Sequence, residues 1–458
     1  MTTKRRSETG GQARTRGTAA VAVVAAVVVV WSASAAVVAP AAAADLPGPG
    51  SVTYVSDCGE LDESGMYVLD RDVENATGDC FRVTADDVTL LGTGHTVASA
   101  DGNGSAVVAD GVSGLHVEGL VAAGWWHGVA VGDSEDVQIR AVTVRDAGGS
   151  GIRLDAAADA VVAGGSVANA SGHGIVVADG ERVSIVGTAV RANDGDGVAV
   201  RDSRATSVRN ATVLDNGGVG VRVGTVPDET RADAGVPSWM VSLLGDTNTG
   251  KLSGLFAPRE AGGPSLVVAD SRIANNRYEG VAVSDAAEVR IANNTIVGAT
   301  DGIRLRNVSS STVADNRVNG SVDDGMAFSS VTGTNVTGNV LAGNGDDGVY
   351  LVGDGNTLAG NDARDNGDDG FDLHTGVDNT LDSNRAVGNG DDGLYIRDAD
   401  GNAAIANVLL DNGDDGLDVR DATANALHNN TACGNDHYDI QIRLGVTGND
   451  VEGNDRSC

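Results

Sequence analysis

Aromatic residues are scarce: 4 Trp, 6 Tyr and 4 Phe in 458 residues. An ordinary two-layer domain of this length fills its core with more large rings, which argues against that architecture. Lysine is almost missing, with 2 residues against 29 arginines, and basic charge as a whole is outweighed. Sixty-four acidic side chains, 52 of them Asp, leave a formal net charge of −33. Phosphate recognition needs a basic footprint, so nucleic acid is excluded as a partner. A chain this acidic repels itself unless the medium screens it, and we read the composition as an adaptation to high salt. Wholesale disorder is excluded as well, because 41% hydrophobic residues suffice for a core.

Basic charge is dense at the start. Lys4, Arg5, Arg6, Arg14 and Arg16 precede an uncharged run from Thr18 to Ala39, and Ala42-Ala43-Ala44 stands just before Asp45. This is the three-part layout of a secretory signal peptide over 1–44, with Arg5-Arg6 admitting a twin-arginine route. An uncleaved membrane anchor is the alternative, and it is the only membrane contact the sequence offers. Removal of 1–44 takes away five positive side chains and Glu8, which moves the charge from −33 to −37. The expected location is secreted or cell-surface.

Four cysteines suit an exported chain. Cys58 lies near Cys80 and Cys433 near Cys458; three pairings are possible, and one local bridge at each end is the economical one. A zinc site lacks any Cys-x-x-Cys or nearby His pair. Nine Asn-x-Ser/Thr sequons, among them Asn75, Asn293 and Asn429, make a glycoprotein an expectation.

An internal period sets the fold. Asn344-Gly345-Asp346-Asp347-Gly348 recurs at 366–370, 389–393 and 412–416, and its last Gly belongs to a column running Gly128, Gly151, Gly174, Gly197, Gly220, Gly280, Gly302, Gly325, Gly348, Gly370, Gly393 and Gly416. Ser105 takes the place before this column and Asp439 the place after it. Each Gly is followed by apolar, variable, apolar residues, as in Val349-Tyr350-Leu351 and Leu417-Asp418-Val419, which is strand patterning with the middle residue outward. Asn columns precede the Gly by nine residues (Asn293, Asn316, Asn339, Asn361, Asn384, Asn407, Asn430) and by four (Asn193, Asn216, Asn276, Asn344, Asn366, Asn389, Asn412, Asn435). Stacked amides bond to their copies one coil away. The pattern predicts an all-β chain: a single parallel β-helix of about 14–15 coils, roughly 70 Å long, whose narrow interior explains the missing aromatics. An N-terminal cap is expected over 45–82, the helix over 83–439 and a C-terminal cap over 440–458, with a cysteine pair in or beside each cap. The step from Gly220 to Gly280 leaves an insertion at about 224–262, rich in residues the coils avoid, and such insertions often mark a binding face.

The repeats, together with the opening segment Asp79-Cys80-Phe81-Arg82-Val83 and Val88-Thr89-Leu90-Leu91-Gly92-Thr93-Gly94-His95, resemble the right-handed parallel β-helix families of NosD-like and CASH (carbohydrate-binding and sugar-hydrolase) type. The resemblance implies right-handedness and a role in carbohydrate binding, sugar hydrolysis or, for NosD itself, periplasmic copper maturation. Copper lacks soft ligands here: beyond residue 44 there are only Met66, Met240 and Met326 and scattered His, with His127 and His173 two coils apart.

Two surface features point to chemistry. Asp323-Asp324, Asp346-Asp347, Asp368-Asp369, Asp391-Asp392 and Asp414-Asp415 stack in register, and rows of hard oxygen ligands suit Ca²⁺, or Na⁺ and K⁺ in brine. Calcium is the expected cofactor if there is one. Beside this stripe runs an outward row, Tyr350, Asp372, Tyr395 and Asp418, flanked by His374, Arg397 and Arg420; ring faces, carboxylates and guanidinium forks of this kind bind acidic or neutral sugars. Trp125-Trp126 offers a second stacking surface. The string Asp369-Gly370-Phe371-Asp372-Leu373-His374 is similar to the Tyr-Gly-Phe-Asp-Pro-His string of mannuronan C5-epimerases, with Asp369 in place of the Tyr and Leu373 in place of the Pro. That resemblance implies acid–base roles for Asp372 and His374, with Tyr395 or Tyr350 supplying a phenol. The sequence therefore supports a polysaccharide or cell-surface glycan as partner. Binding or surface structure is the first reading, and a polysaccharide lyase, uronate epimerase or glycoside hydrolase is the rival.

Overall fold

The computed structural model describes residues 52–224, 266–443 and 446–457. The leader 1–44, the bulk of the 224–262 insertion and Cys458 lie outside the described residues. Every described element is a β-strand. The strands fall into three parallel sheets of 17, 15 and 16 strands, and each strand pairs with its counterpart one turn before and one turn after. Sheet I, the 16-stranded one, carries the strand after the Gly column, from Gly59–Leu61 to Ile440–Ile442. Sheet II begins at Val52–Val55 and ends at Asp450–Glu452; sheet III runs from Val73–Ala76 to Thr431–Cys433. This is a parallel β-helix of about fifteen turns, as the period predicts. Its strands begin before Cys80: Val52–Val55 pairs with Gly65–Leu69, and Gly59–Leu61 with Phe81–Val83.

Inward side chains stack by kind. Ile152, Ile175, Val198 and Val221 oppose one another on successive turns and are wholly buried, as are Leu394 and Leu417 further along. Corners are made by a residue with positive φ followed by a buried Asn. Asp365 and Asp411, for example, precede Asn366 and Asn412. Asn384 Oδ1 accepts both the main-chain N–H and the side-chain amide of Asn361, at 3.0 and 2.9 Å, while the Asn361 amide also reaches Val336 O. Each buried amide is thereby satisfied, which removes the cost of placing polar corners inside the fold.

The Gly column is required by close stacking rather than by backbone conformation. A Cβ on Gly370 would come 2.6 Å from Gly393 O and 2.8 Å from Asn389 Nδ2.

Three details of the register differ from the expectation. Ala106, not Ser105, opposes Gly128, because His127 pairs with Ser105 and Val129 with Val107, which leaves a one-residue slip. Asn293 stands outside its ladder: it is the exposed positive-φ residue, and Asn294 is the buried rung bonded to Asn316. A third ladder had no expectation at all, running Ser311, Thr334, Asn356, Asn379, Asn402, Asn425 and Asn449.

The Cys58–Cys80 disulfide is present, with Cα atoms 4.4 Å apart, and Cys433 is disulfide-bonded.

Candidate functional site

The outer column of sheet I alternates small or aliphatic side chains, such as Ala130, Val176, Ala199 and Ala282, with arginines, such as Arg153, Arg222 and Arg304. From Tyr350 its character changes. Tyr350 opposes Asp372, Asp372 opposes Tyr395, and Tyr395 opposes Asp418, so the four share one face. They are not equally open. The tyrosines are half-buried, whereas Asp372 is 8% exposed and Asp418 0%.

His374 is placed by an irregularity that strand alternation does not reveal. Leu351 pairs with Leu373 but Val352 pairs with Thr375, so His374 is the extra residue of a β-bulge. The bulge turns its ring toward Tyr350, with centroids 5.5 Å apart, and leaves Nδ1 3.6 Å from Asp372 Oδ2. Arg397 Nη2 contacts both ring nitrogens of His374, and its guanidinium carbon lies 5.5 Å from the Tyr395 ring centroid. Two buried atoms of this group have no hydrogen-bond partner: Asp372 Oδ1, an acceptor, and Arg397 Nε, a donor. Among the described residues Arg397 has no carboxylate in ion-pair range. Buried groups of this kind are rare and costly in a finished core.

The electrostatics follow from burial. Burial pushes Asp372 up to about 7, with Arg397 opposing and Asp368 and Asp346 adding to the rise. Burial, then Arg397, lowers the His374 pKa, so the imidazole is neutral at pH 7. Burial and Asp372 raise Tyr350. Asp372 and His374 thus have pKa values displaced in opposite directions by the same burial.

Asp418 belongs to the row but is not free to meet a ligand. Arg443 Nε lies 3.1 and 2.9 Å from its two oxygens, and Arg443 Nη2 contacts Oδ2 as well. It is a structural anchor of the next turn, which corrects its expected role in substrate binding. Arg420 stays exposed, and its pKa is raised first by a hydrogen bond to Tyr395.

Trp125 is also corrected. It is 1% exposed and donates Nε1–H to Val97 O at 2.9 Å, so it is core, while Trp126 is 48% exposed and open to a ring. His173 is buried and accepts the Asp196 N–H on Nδ1.

The double Asp column divides into two kinds. Asp346, Asp368 and Asp391 are exposed, whereas Asp347, Asp369, Asp392 and Asp415 are buried. Each buried member uses Oδ1 to accept the main-chain N–H of its counterpart one turn on: Asp369 to Asp347 at 2.8 Å, Asp392 to Asp369 at 2.7 Å, Asp415 to Asp392 at 2.8 Å. Burial, reinforced by neighbouring carboxylates, pushes Asp347 up to about 9, Asp369 to about 10 and Asp392 to about 8. The stripe is therefore two files, an exposed one and a buried one whose carboxyls hold their protons more tightly than a free Asp does. One oxygen from each of Asp346, Asp347 and Asp368 comes within 4.8 Å of the others, and the sets Asp368, Asp369, Asp391 and Asp391, Asp392, Asp414 do the same. Such all-oxygen sets fit calcium by donor chemistry.

A family model described as right handed beta helix region matches residues 77–230 and 328–458. A second, described as periplasmic copper-binding protein (NosD), matches 261–347. That stretch contains no His and no Cys, and its only Met, Met326, is fully buried, so its residues do not fit a copper ion. A search of curated proteins finds no match. Among solved structures, the periplasmic alginate epimerase AlgG is similar over 78% of this chain and 79% of its own, at 14% identity and a TM-score of 0.43. The Azotobacter vinelandii mannuronan C-5 epimerase AlgE4 A-module is similar over 88% and 91%, at 15% identity and 0.47. The Dettilon tailspike protein is similar over 80% and 60%, at 14% and 0.34.

Proposed function

This chain belongs to the right-handed β-helix family, and on that footing we propose that it is an exported carbohydrate-binding protein whose working surface is the outer face of sheet I around Tyr350, Asp372, Tyr395 and Arg397. The observation that carries this reading is the pair of buried, partnerless atoms, Asp372 Oδ1 and Arg397 Nε, set between two half-buried tyrosine rings. A uronate residue supplies what both lack: its carboxylate accepts from Arg397 Nε, and a hydroxyl meets Asp372 Oδ1. The tyrosines offer apolar faces to the sugar. Sugar residues on either side extend toward Arg420 and along the groove lined by Ser309, Ser330, Thr332, Asp354 and Thr375. Charge restricts the ligand. The outward arginines earlier in this column are paired, as Arg222 is with Asp196 and Arg304 with Asp301, whereas Arg397 has no carboxylate in ion-pair range among the described residues.

A second reading is favoured by the Asp372 pKa of about 7. Ionised Asp372 or neutral His374 removes the proton α to the uronate carboxylate, and Arg397 stabilises the charge that develops on the carboxylate oxygens. Proton return from the opposite ring face, with Tyr395 or Tyr350 as donor, completes an epimerisation. Cleavage of the bond to the 4-oxygen, which leaves as an alcohol protonated by the same tyrosine, instead completes a lyase step.

The test is incubation of the protein with anionic and neutral polysaccharides, following unsaturated-uronate absorbance, product composition and retention. Retention of an anionic glycan without turnover supports binding. Turnover that falls on the order of 100-fold or more in Asp372→Asn supports catalysis. Neither retention nor turnover of any glycan defeats both.

A further inference from the structure

We propose that the last full turn of the β-helix holds one divalent transition-metal ion of borderline softness, Zn²⁺ being the probe, between Asp414, Asp415 and His437. In the turn corner the segment Asn435-Asp436-His437-Tyr438 takes the place of Asn412-Gly413-Asp414-Asp415 one turn before. The exposed Asp of the stripe is thus replaced, at this turn only among the 346–437 corners, by an imidazole.

His437 Nδ1 lies 3.1 Å from Asp414 Oδ1 and 3.4 Å from Asp415 Oδ1. Ligands at Zn–N and Zn–O distances of about 2.0–2.2 Å stand roughly 3.3–3.6 Å apart around a tetrahedral centre, close to the spacing seen. One ligand atom from each of the three residues lies within 4.8 Å of the others.

A second observation marks the place independently of the acidic cluster. The Asp415 side chain is 0% exposed; its Oδ1 accepts the Tyr438 N–H at 2.8 Å, and its Oδ2 is buried with no hydrogen-bond partner. The inner rungs of the ladder, Asp347, Asp369 and Asp392, have no such bare atom. The His437 ring is braced by Tyr438, with centroids 4.0 Å apart, while remaining half exposed, so water can complete the coordination.

Donor type sets the metal. Two carboxylates with one imidazole form a mixed N/O set that suits Zn²⁺ or Mn²⁺, whereas the all-carboxylate corners upstream suit Ca²⁺. The inference does not depend on the glycan reading.

The test is equilibrium dialysis of the chelator-stripped full chain against micromolar Zn²⁺, with thermal unfolding measured in parallel. One Zn²⁺ per chain is expected. Both His437→Gln and Asp415→Asn should weaken it at least tenfold, and Zn²⁺ should raise the Tm of the parent but not of the variants. His437→Gln alters a half-exposed side chain, so a loss there reports binding rather than folding. Absence of stoichiometric Zn²⁺, unchanged binding in His437→Gln, or displacement by Ca²⁺ at equal concentration would overturn the proposal in favour of a plain His–Asp ion pair or an unselective acidic surface.

Discussion

Oδ1 of Asp369 accepts the main-chain N–H of Asp392, 2.7 Å away and one turn further along the helix. The carboxyl thus does the work of the Asn rungs, but it brings a titratable proton. Replacing it by Asn keeps the acceptor and removes the proton. Asp369→Asn is expected to match or exceed the parent in Tm at pH 9. Asp369→Ala leaves the Asp392 N–H without its partner and should cost about 1–3 kcal/mol in denaturant titration. Equal stability of the two variants would show that the rung bond contributes nothing.

Stability as a whole should fall as pH rises. Asp347, Asp369 and Asp392 have folded-state values of about 9, 10 and 8 against an ordinary value of 3.8. Between those limits the folded chain holds protons that the unfolded chain has released, so raising the pH favours unfolding. The contribution of these groups is complete below about pH 4 and is lost as pH climbs through 8–10. Calorimetry at pH 5, 7 and 9 and constant ionic strength should show a steadily falling Tm, with a smaller slope in an Asp347→Asn, Asp369→Asn double variant. A Tm that rises over this window is the contrary result.

Gly370 tests the stacking argument. A methyl there meets Gly393 O, Asn389 Nδ2 and Ala386 Cβ at 2.6–2.8 Å, two of them in a rigid corner. Gly370→Ala should destabilise by about 1–3 kcal/mol, seen as a lower denaturant midpoint. Gly360, at a corner with open space around it, provides the control for crowding: its φ of +62 predicts only the smaller backbone cost, about 1 kcal/mol, for Gly360→Ala.

Much of this was legible because a solenoid repeats its physics. The Gly register, the period-two strands and two of the Asn ladders follow from the spacing alone, and they placed Tyr350, Asp372 and Tyr395 on one face. What stayed hidden depends on single-residue geometry. Nothing in Asn293-Asn294 says which residue turns the corner and which enters it. Trp125-Trp126 and each Asp-Asp pair pose the same two-way choice, because corners do not obey strand alternation. The bulge at His374 shows in the Gly column only as a step of 22 from Gly348 to Gly370 followed by one of 23 to Gly393, which does not say where in the turn the extra residue sits. Arg443 lies past the last Gly, where no repeat could predict that it would claim Asp418. The third ladder was disguised by Ser311 and Thr334, whose hydroxyls do the work of an amide.

The central claim is that Arg397 Nε and Asp372 Oδ1 await an acidic sugar. Calorimetric titration of a uronate oligosaccharide into the parent and into Arg397→Gln tests it most directly, with the corresponding neutral oligosaccharide as control. The account predicts binding to the parent, weakened about tenfold or more by Arg397→Gln in line with loss of a charge-assisted bond, and no matching change for the neutral sugar. Equal affinity of parent and variant for the uronate would contradict it.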